Sequence, residues 1–232
     1  MEIINKSKQW ENIFSLGGPR NYYPHSYVVS WYFRYVKHVN SNFQDKKVLD
    51  LGCGTAPNLI LFIREGFNYY GIDVTSKCFE DIFANATKFN IDKSKIQLQT
   101  FIPPKLPFID ETFDIVVGLE SLHFNSLSEQ LMAILSEIRR VLKPEAHFFF
   151  TTIDKFHYFL NYDNSRYINS NCIEISESFH IKARRGLRYF LFNNIDEINN
   201  YFNIFTSVST GRYFLDKADG RPDSYYLIFG KK

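Results

Sequence analysis

Hydrophobic and polar positions divide most of this 232-residue chain into alternating short and long periods. Residues 46–51 form a compact apolar run that closes around Asp50, Gly52 and Gly54 follow, and Leu59, Ile60, Phe62 and Ile63 then fall at helical spacing. This predicts strand, tight turn and helix. Residues 69–74 predict a second strand, and Phe79, Ile82, Phe83, Ala86 and Phe89 mark a helix behind it, which completes a βαβ unit. A third strand over 96–101 is stopped by Pro103-Pro104, and a fourth over 113–118 has the continuous apolar character of a strand covered on both faces. The clearest helix places Leu127, Leu131, Ile134, Leu135, Ile138, Val141 and Leu142 on one face, with Ser126 and Glu129 in a capping-box pattern and Lys143-Pro144 at its end. Residues 146–152 predict a fifth strand rich in phenylalanine. Asn194 and Glu197 predict a capped helix through Phe202, and 205–213 with 224–229 predict a closing hairpin.

Strand and helix alternate through residue 152, so the sheet is expected to be parallel with helices on both faces, because parallel strands need crossover connections. The hairpin adds an antiparallel edge. Two stretches lack a clean period. Residues 154–188 carry His157, Tyr158, Tyr162, Tyr167, His180 and a basic cluster, and read as an insertion over a ligand site. Residues 17–25 precede an apolar helix over roughly 27–39. The expected organisation is one domain: an N-terminal helical cap (1–45), a cofactor-binding core (46–152), a substrate-side insertion (153–192), and a C-terminal helix with closing hairpin (193–232).

Composition narrows the field. A net charge of +2 supplies no basic stripe of the kind nucleic acids require. No stretch approaches the ~20 apolar residues that span a bilayer, and the first residues lack the apolar run of a signal peptide. Cys53, Cys78 and Cys172 are far apart and outside any metal-ligand spacing, which predicts free thiols and no metal site. The expectation is a cytoplasmic protein, monomer or homodimer, with a small-molecule partner and neither nucleic acid nor membrane. Aromatic residues reach 18%, including 24 Phe and 15 Tyr, more than a core of this size needs, so some are expected to line a pocket.

Candidate chemistry centres on the first turn. In open parallel sheets, ligands bind beyond the carboxyl ends of the strands where strand order reverses. Gly52 and Gly54 belong there, because a side chain would keep the backbone from approaching a ligand. Asp73, ending the second predicted strand, is placed to accept both hydroxyls of a ribose. A dinucleotide fingerprint needs a third glycine where this chain has Pro57, and the carboxylate of Asp50 suits an ammonium group better than a pyrophosphate.

With these features the chain resembles the class I S-adenosylmethionine-dependent methyltransferases. The resemblance rests on Val48-Leu49-Asp50-Leu51-Gly52-Cys53-Gly54-Thr55, on Gly71-Ile72-Asp73, on Leu106-Pro107-Phe108 through Phe113-Asp114-Ile115-Val116, and on Glu137-Ile138-Arg139-Arg140-Val141-Leu142-Lys143-Pro144. It implies a Rossmann-like, mostly parallel seven-stranded sheet and S-adenosyl-L-methionine as cofactor. Carried over, Gly52, Cys53 and Gly54 would pack on the methionine part, Asp50 would fix its amino group and Asp73 would hold the ribose. Val74 would flank the adenine, with apolar or backbone contacts from Phe101 and Ile102, and Leu119 and Glu120 would border the space between methyl donor and acceptor. Ala56 replaces a third glycine common in the family, which reads as a small change. Upstream, Arg20-Asn21-Tyr22-Tyr23-Pro24-His25 resembles a segment that folds over the cofactor, with Tyr23 as the contact.

Methyl transfer mainly requires positioning and exclusion of water, and a base only for hydroxyl or protonated amine acceptors. His123 is the first candidate base and Glu120 the second, although a lone histidine is commonly structural. His157, Tyr158 and Arg185 are candidates for acceptor contact, the last with Lys182, Arg184 and Arg188 in a cluster that otherwise reads as a solvated basic face. The expected activity is methyl transfer to a hydroxyl or amine of a small molecule such as a sugar, nucleotide-sugar or secondary metabolite. The alternatives are a nicotinamide-dependent oxidoreductase and a catalytically silent S-adenosylmethionine-binding protein.

Overall fold

The computed structural model describes residues 2–16, 21–39, 42–160 and 165–232. In chain order the helices are α1 (Glu2–Ser15), α2 (Ser26–Trp31), α3 (Leu59–Arg64), α4 (Phe79–Lys88), α5 (Ser128–Val141) and α6 (Ile195–Tyr201). Five strands, β1 (Lys47–Leu51), β2 (Asn68–Asp73), β3 (Ile96–Thr100), β4 (Phe113–Leu119) and β5 (Leu142–Ile153), pair in parallel. Three short strands, β6 (Arg166–Asn169), β7 (Cys172–Glu174) and β8 (Arg188–Phe190), form a separate antiparallel sheet. The hairpin of β9 (Thr206–Leu215) and β10 (Asp223–Lys231) closes the main sheet, whose order is β3-β2-β1-β4-β5-β10-β9. β1 therefore lies at the reversal of strand order, as its sequence predicts.

Alternate side chains on each central strand meet different helices, because successive Cβ atoms point to opposite faces. Val116, Phe148 and Phe150 pack with Leu131, Leu135, Ile138 and Phe202 on the side of α5 and α6. Ile115, Val117 and Phe149 pack with Val28, Trp31, Leu59, Phe62 and Ile82 on the side of α2, α3 and α4. This two-sided burial is what the unbroken apolar run of β4 encodes. The apolar helix expected over 27–39 is α2 continued by a π-helical segment, Tyr32–Lys37.

The structure corrects several local expectations. Residues 153–192 are not merely irregular: β6, β7 and β8 enclose a third core of Phe159, Ile173, Phe179 and Tyr189, joined by Tyr225 of β10. Its strands escape sequence patterning because β7 and β8 have three residues each and β6 is exposed throughout. The N-cap of α5 is Leu127, with no side-chain cap bond, and Ser126 is buried instead of capping. Asn194 does cap α6, accepting from the Glu197 amide at 2.9 Å. β5 begins directly at Leu142, and Pro144 falls where the β4–β5 register shifts, so its missing N–H interrupts no regular ladder. Tyr162 and residues 17–20 lie outside the described residues. Among the described residues no helix is long and apolar enough to cross a membrane.

Candidate active site

The turn after β1 is held by its own amides. Gly52 (φ +70°) and Cys53 donate to the Ile72 carbonyl at 2.8 and 3.0 Å, and Gly54 (φ +52°) donates to Asp73 Oδ2 at 3.0 Å. A Cβ on Gly52 would stand 2.7 Å from Ser121 Cβ, so both the left-handed backbone and the close approach of the segment after β4 exclude a side chain. Ala56 also adopts φ +52°, so this alanine sits in a conformation costing about 1–2 kcal/mol, and its place in the turn is not the small change the sequence suggests.

Over this turn opens a cavity of about 600 Å³. Asp50, Gly52, Cys53, Gly54, Asp73, Val74, Phe101, Ile102, Leu119 and Glu120 all line it, so ten residues singled out in the sequence converge on one space. Helix α1 roofs it with Trp10 and Phe14, and Ser7 Oγ donates to the Val74 carbonyl at 2.9 Å. Neither this roof nor Asn58 was legible as a site position, because α1 carries no motif and Asn58 acts only through tertiary proximity, whereas His25 and Arg184 were named only within the segment 20–25 and the basic cluster.

The remaining candidates lie elsewhere. Tyr23 is 64% exposed and packs edge-on against Phe89 instead of covering the cavity, whose rim from that segment is Asn21 and His25. His123 is 3% exposed behind the cavity wall, wedged against Phe124 and Tyr189, and burial holds its pKa well below the usual histidine range. Arg185 donates to the Phe179 carbonyl at 2.9 Å, outside the cavity. Tyr158 stacks on His157 beneath the Lys217 ammonium.

Two buried carboxylates dominate the floor. Burial raises Asp50 to about 7, opposed by the Tyr69 hydroxyl that donates to it at 2.7 Å. Burial raises Asp73 to about 6, opposed by the amides of Gly54, Thr75 and Val74. Among the described residues neither has a Lys, Arg or His nitrogen within 4.0 Å. Buried carboxylates without a protein cation are costly unless a ligand pairs with them. An ammonium group at Asp50 and ribose hydroxyls at Asp73 meet that need.

Glu120 faces the cavity from the end of β4, its amide bonded to Thr151 Oγ1 at 3.0 Å. Burial raises its pKa, opposed by Arg184 and by the nearby Tyr225 hydroxyl. Tyr225 Oη lies 3.2 Å from His157 Nε2, and His157 Nδ1 accepts from the Phe159 amide at 3.2 Å. Burial and then Arg184 and Lys217 depress His157 to about 3, so the ring is neutral. With Nδ1 accepting, the hydrogen-bond pattern assigns its proton to Nε2. His157 and Tyr225 are joined to each other on the side of Glu120 away from the cavity turn. His157 thus serves the site from behind, at 1% exposure, instead of touching an acceptor.

Fold and site together define a Rossmann-like domain whose switch-point cavity has two buried acids, Asp50 and Asp73, on its floor. Residues 48–145 match the methyltransferase domain family. Among curated proteins, the ubiquinone biosynthesis O-methyltransferase of Histophilus somni (strain 2336) is 27% identical over 124 residues, 53% of this chain and 51% of that protein. The chain thus spans about half the length of the curated relatives it matches. Among solved structures, a methyltransferase from Methanosarcina mazei superposes with TM-score 0.68 at 18% identity, covering 85% of this chain and 97% of that one. Haemonchus contortus phosphoethanolamine N-methyltransferase 2, solved with S-adenosyl-L-methionine, gives 0.61 at 14% identity, covering 97% and 56%. These structures share the fold.

The floor carboxylates make binding pH-dependent. In the free protein both have folded pKa values above the unfolded value of about 4, so their stabilising contribution is full below about pH 4 and is lost as pH rises through about 6–7. A ligand ammonium prefers them ionised, so cofactor affinity runs the other way. Calorimetry is expected to show S-adenosylhomocysteine binding weaken by about tenfold or more between about pH 8 and pH 5.5, with proton release on binding. A flat profile would show that neither carboxylate meets the ligand.

Proposed function

We propose that the protein transfers a methyl group from S-adenosyl-L-methionine to a hydroxyl of a small molecule, with Glu120 as general base. The observation that carries this reading is the Glu120 carboxylate. It lines the cavity beside the glycine turn, is made more basic by burial, and is backed by Tyr225 and His157. The bound cofactor supplies an activated methyl on a sulfonium. The chain's own part is to hold the acceptor in line, exclude water beneath α1, and take the hydroxyl proton onto Glu120. The curated relatives named as O-methyltransferases support a hydroxyl over an amine. A dinucleotide is disfavoured, because Asp50 occupies the floor where a pyrophosphate would have to lie.

The test has two parts. Wild-type protein should bind S-adenosylhomocysteine, and Asp73→Ala should weaken this by about 100-fold, since it removes hydrogen bonds to two hydroxyls at a buried site. Mass spectrometry of reactions with S-adenosyl-L-methionine and matched alcohol, phenol and amine panels should show transfer confined to hydroxyls. Binding without transfer to any hydroxyl would leave a cofactor-binding protein only, and transfer confined to amines would remove the role of Glu120.

A further inference from the structure

The cavity holds a cation that methyl transfer does not require. Arg184 ends the 3₁₀ turn Lys182–Arg184 and lines the cavity that contains Glu120. Its guanidinium carbon lies 4.6 Å from the Phe159 ring centroid and 6.0 Å from that of Trp10. One Nη1–H donates to the Tyr189 hydroxyl at 3.1 Å. Among the described residues no carboxylate oxygen comes within 4.0 Å of it, and Glu120 acts on it only at longer range. The other arginines of this region are engaged: Arg166 and Arg188 pair with Glu174 at 3.0 and 2.8 Å, and Arg185 is bonded to the Phe179 carbonyl.

A guanidinium presents its donors as a planar fork that fits an oxyanion in bidentate fashion. Arg184 has most of that fork unspent. The aromatic rings against it hold the plane and keep water away, which strengthens its attraction for an anion. Next to it the cavity wall is aromatic, with Trp10 packed on Phe14 at 5.7 Å and on Phe124 at 5.0 Å between centroids.

Resting on the methyltransferase reading above, we propose that the acceptor carries an oxyanion, a carboxylate or a phosphate monoester, which Arg184 binds while an apolar body lies along Trp10, Phe14 and Phe124. Arg184 is then the specificity-determining residue of the acceptor site, anchoring one end of the molecule so that a hydroxyl reaches Glu120.

The experiment is calorimetry on the full chain saturated with S-adenosylhomocysteine. The probes are 4-hydroxybenzoate against 4-hydroxybenzamide, and phenyl phosphate against phenol. At least one anion is expected to bind about tenfold or more tightly than its neutral partner, the size of one charge-assisted hydrogen-bond pair. The pair with the larger difference distinguishes carboxylate from phosphate. Arg184→Gln should abolish the preference with the S-adenosylhomocysteine Kd unchanged within about twofold, and Arg184→Lys should keep part of it. Binding indifferent to probe charge, no binding by either anion, or a preference that survives Arg184→Gln would overturn the proposal. The wild-type comparison stands even if Arg184→Gln fails to fold. If the wild type does not bind S-adenosylhomocysteine, the methyltransferase reading falls and takes the proposal with it.

Discussion

Glu120→Gln is expected to lower kcat by about 10²–10³ while the Kd for S-adenosylhomocysteine stays within about threefold of wild type. Glutamine has the shape of glutamate, so the wall of the cavity is retained. Glu120 adopts φ +54°, a left-handed conformation that glutamine bears as well as glutamate does, so the substitution adds no backbone strain of its own. What is lost is the acceptor of the hydroxyl proton. The acid limb of kcat/KM against pH should flatten in the variant, because the group whose ionisation produces it has gone. An unchanged kcat, or an acid limb that persists, would assign the base elsewhere. His123 would not be the obvious successor, since its ring is buried behind Phe124 and Tyr189 and held neutral.

Gly52→Ala should have the second large effect, on binding. The new methyl would be placed 2.7 Å from Ser121 Cβ, and the residue would keep φ +70°, costing about 1–2 kcal/mol in strain before any clash is counted. The turn must then move away from the segment that carries Ser121 and Glu120, which opens the cavity floor. S-adenosylhomocysteine affinity is expected to fall by about 100-fold and the melting temperature by roughly 4–8 °C. Adding Ser121→Gly removes the contacting atom but not the φ strain, so the double variant should recover part of both losses. Wild-type affinity in Gly52→Ala would show that the ligand does not sit over this turn.

Much of the core was legible because its signals are local. The run through Asp50, the two glycines and Asp73 report strand ends and a left-handed turn through residues adjacent in sequence, and the paired sheet obeys them. The unbroken apolar character of β4 follows from helices on both faces, and that too is written along a single strand. The acceptor side is different. Tyr225 and His157 stand near Glu120 and meet only because β10 pairs antiparallel with β5. Arg184 and Arg185 are neighbours in a basic cluster, and no periodicity tells which of them enters the cavity, since the short turn that orients them is fixed by packing against Trp10, Phe159 and Tyr189. The displacement of Tyr23 toward Phe89 has the same origin: α1 fills the place above the glycine turn.

By itself the sequence determined the parallel sheet, the glycine turn and its two acids, because period, glycine and strand-end carboxylate act within a few residues of one another. Only the tertiary structure decided the roof, the grouping of Tyr225 and His157 near Glu120 and the unspent fork of Arg184. Those features are set by which distant side chains exclude water from a shared cavity, and burial of that kind leaves no pattern along the chain.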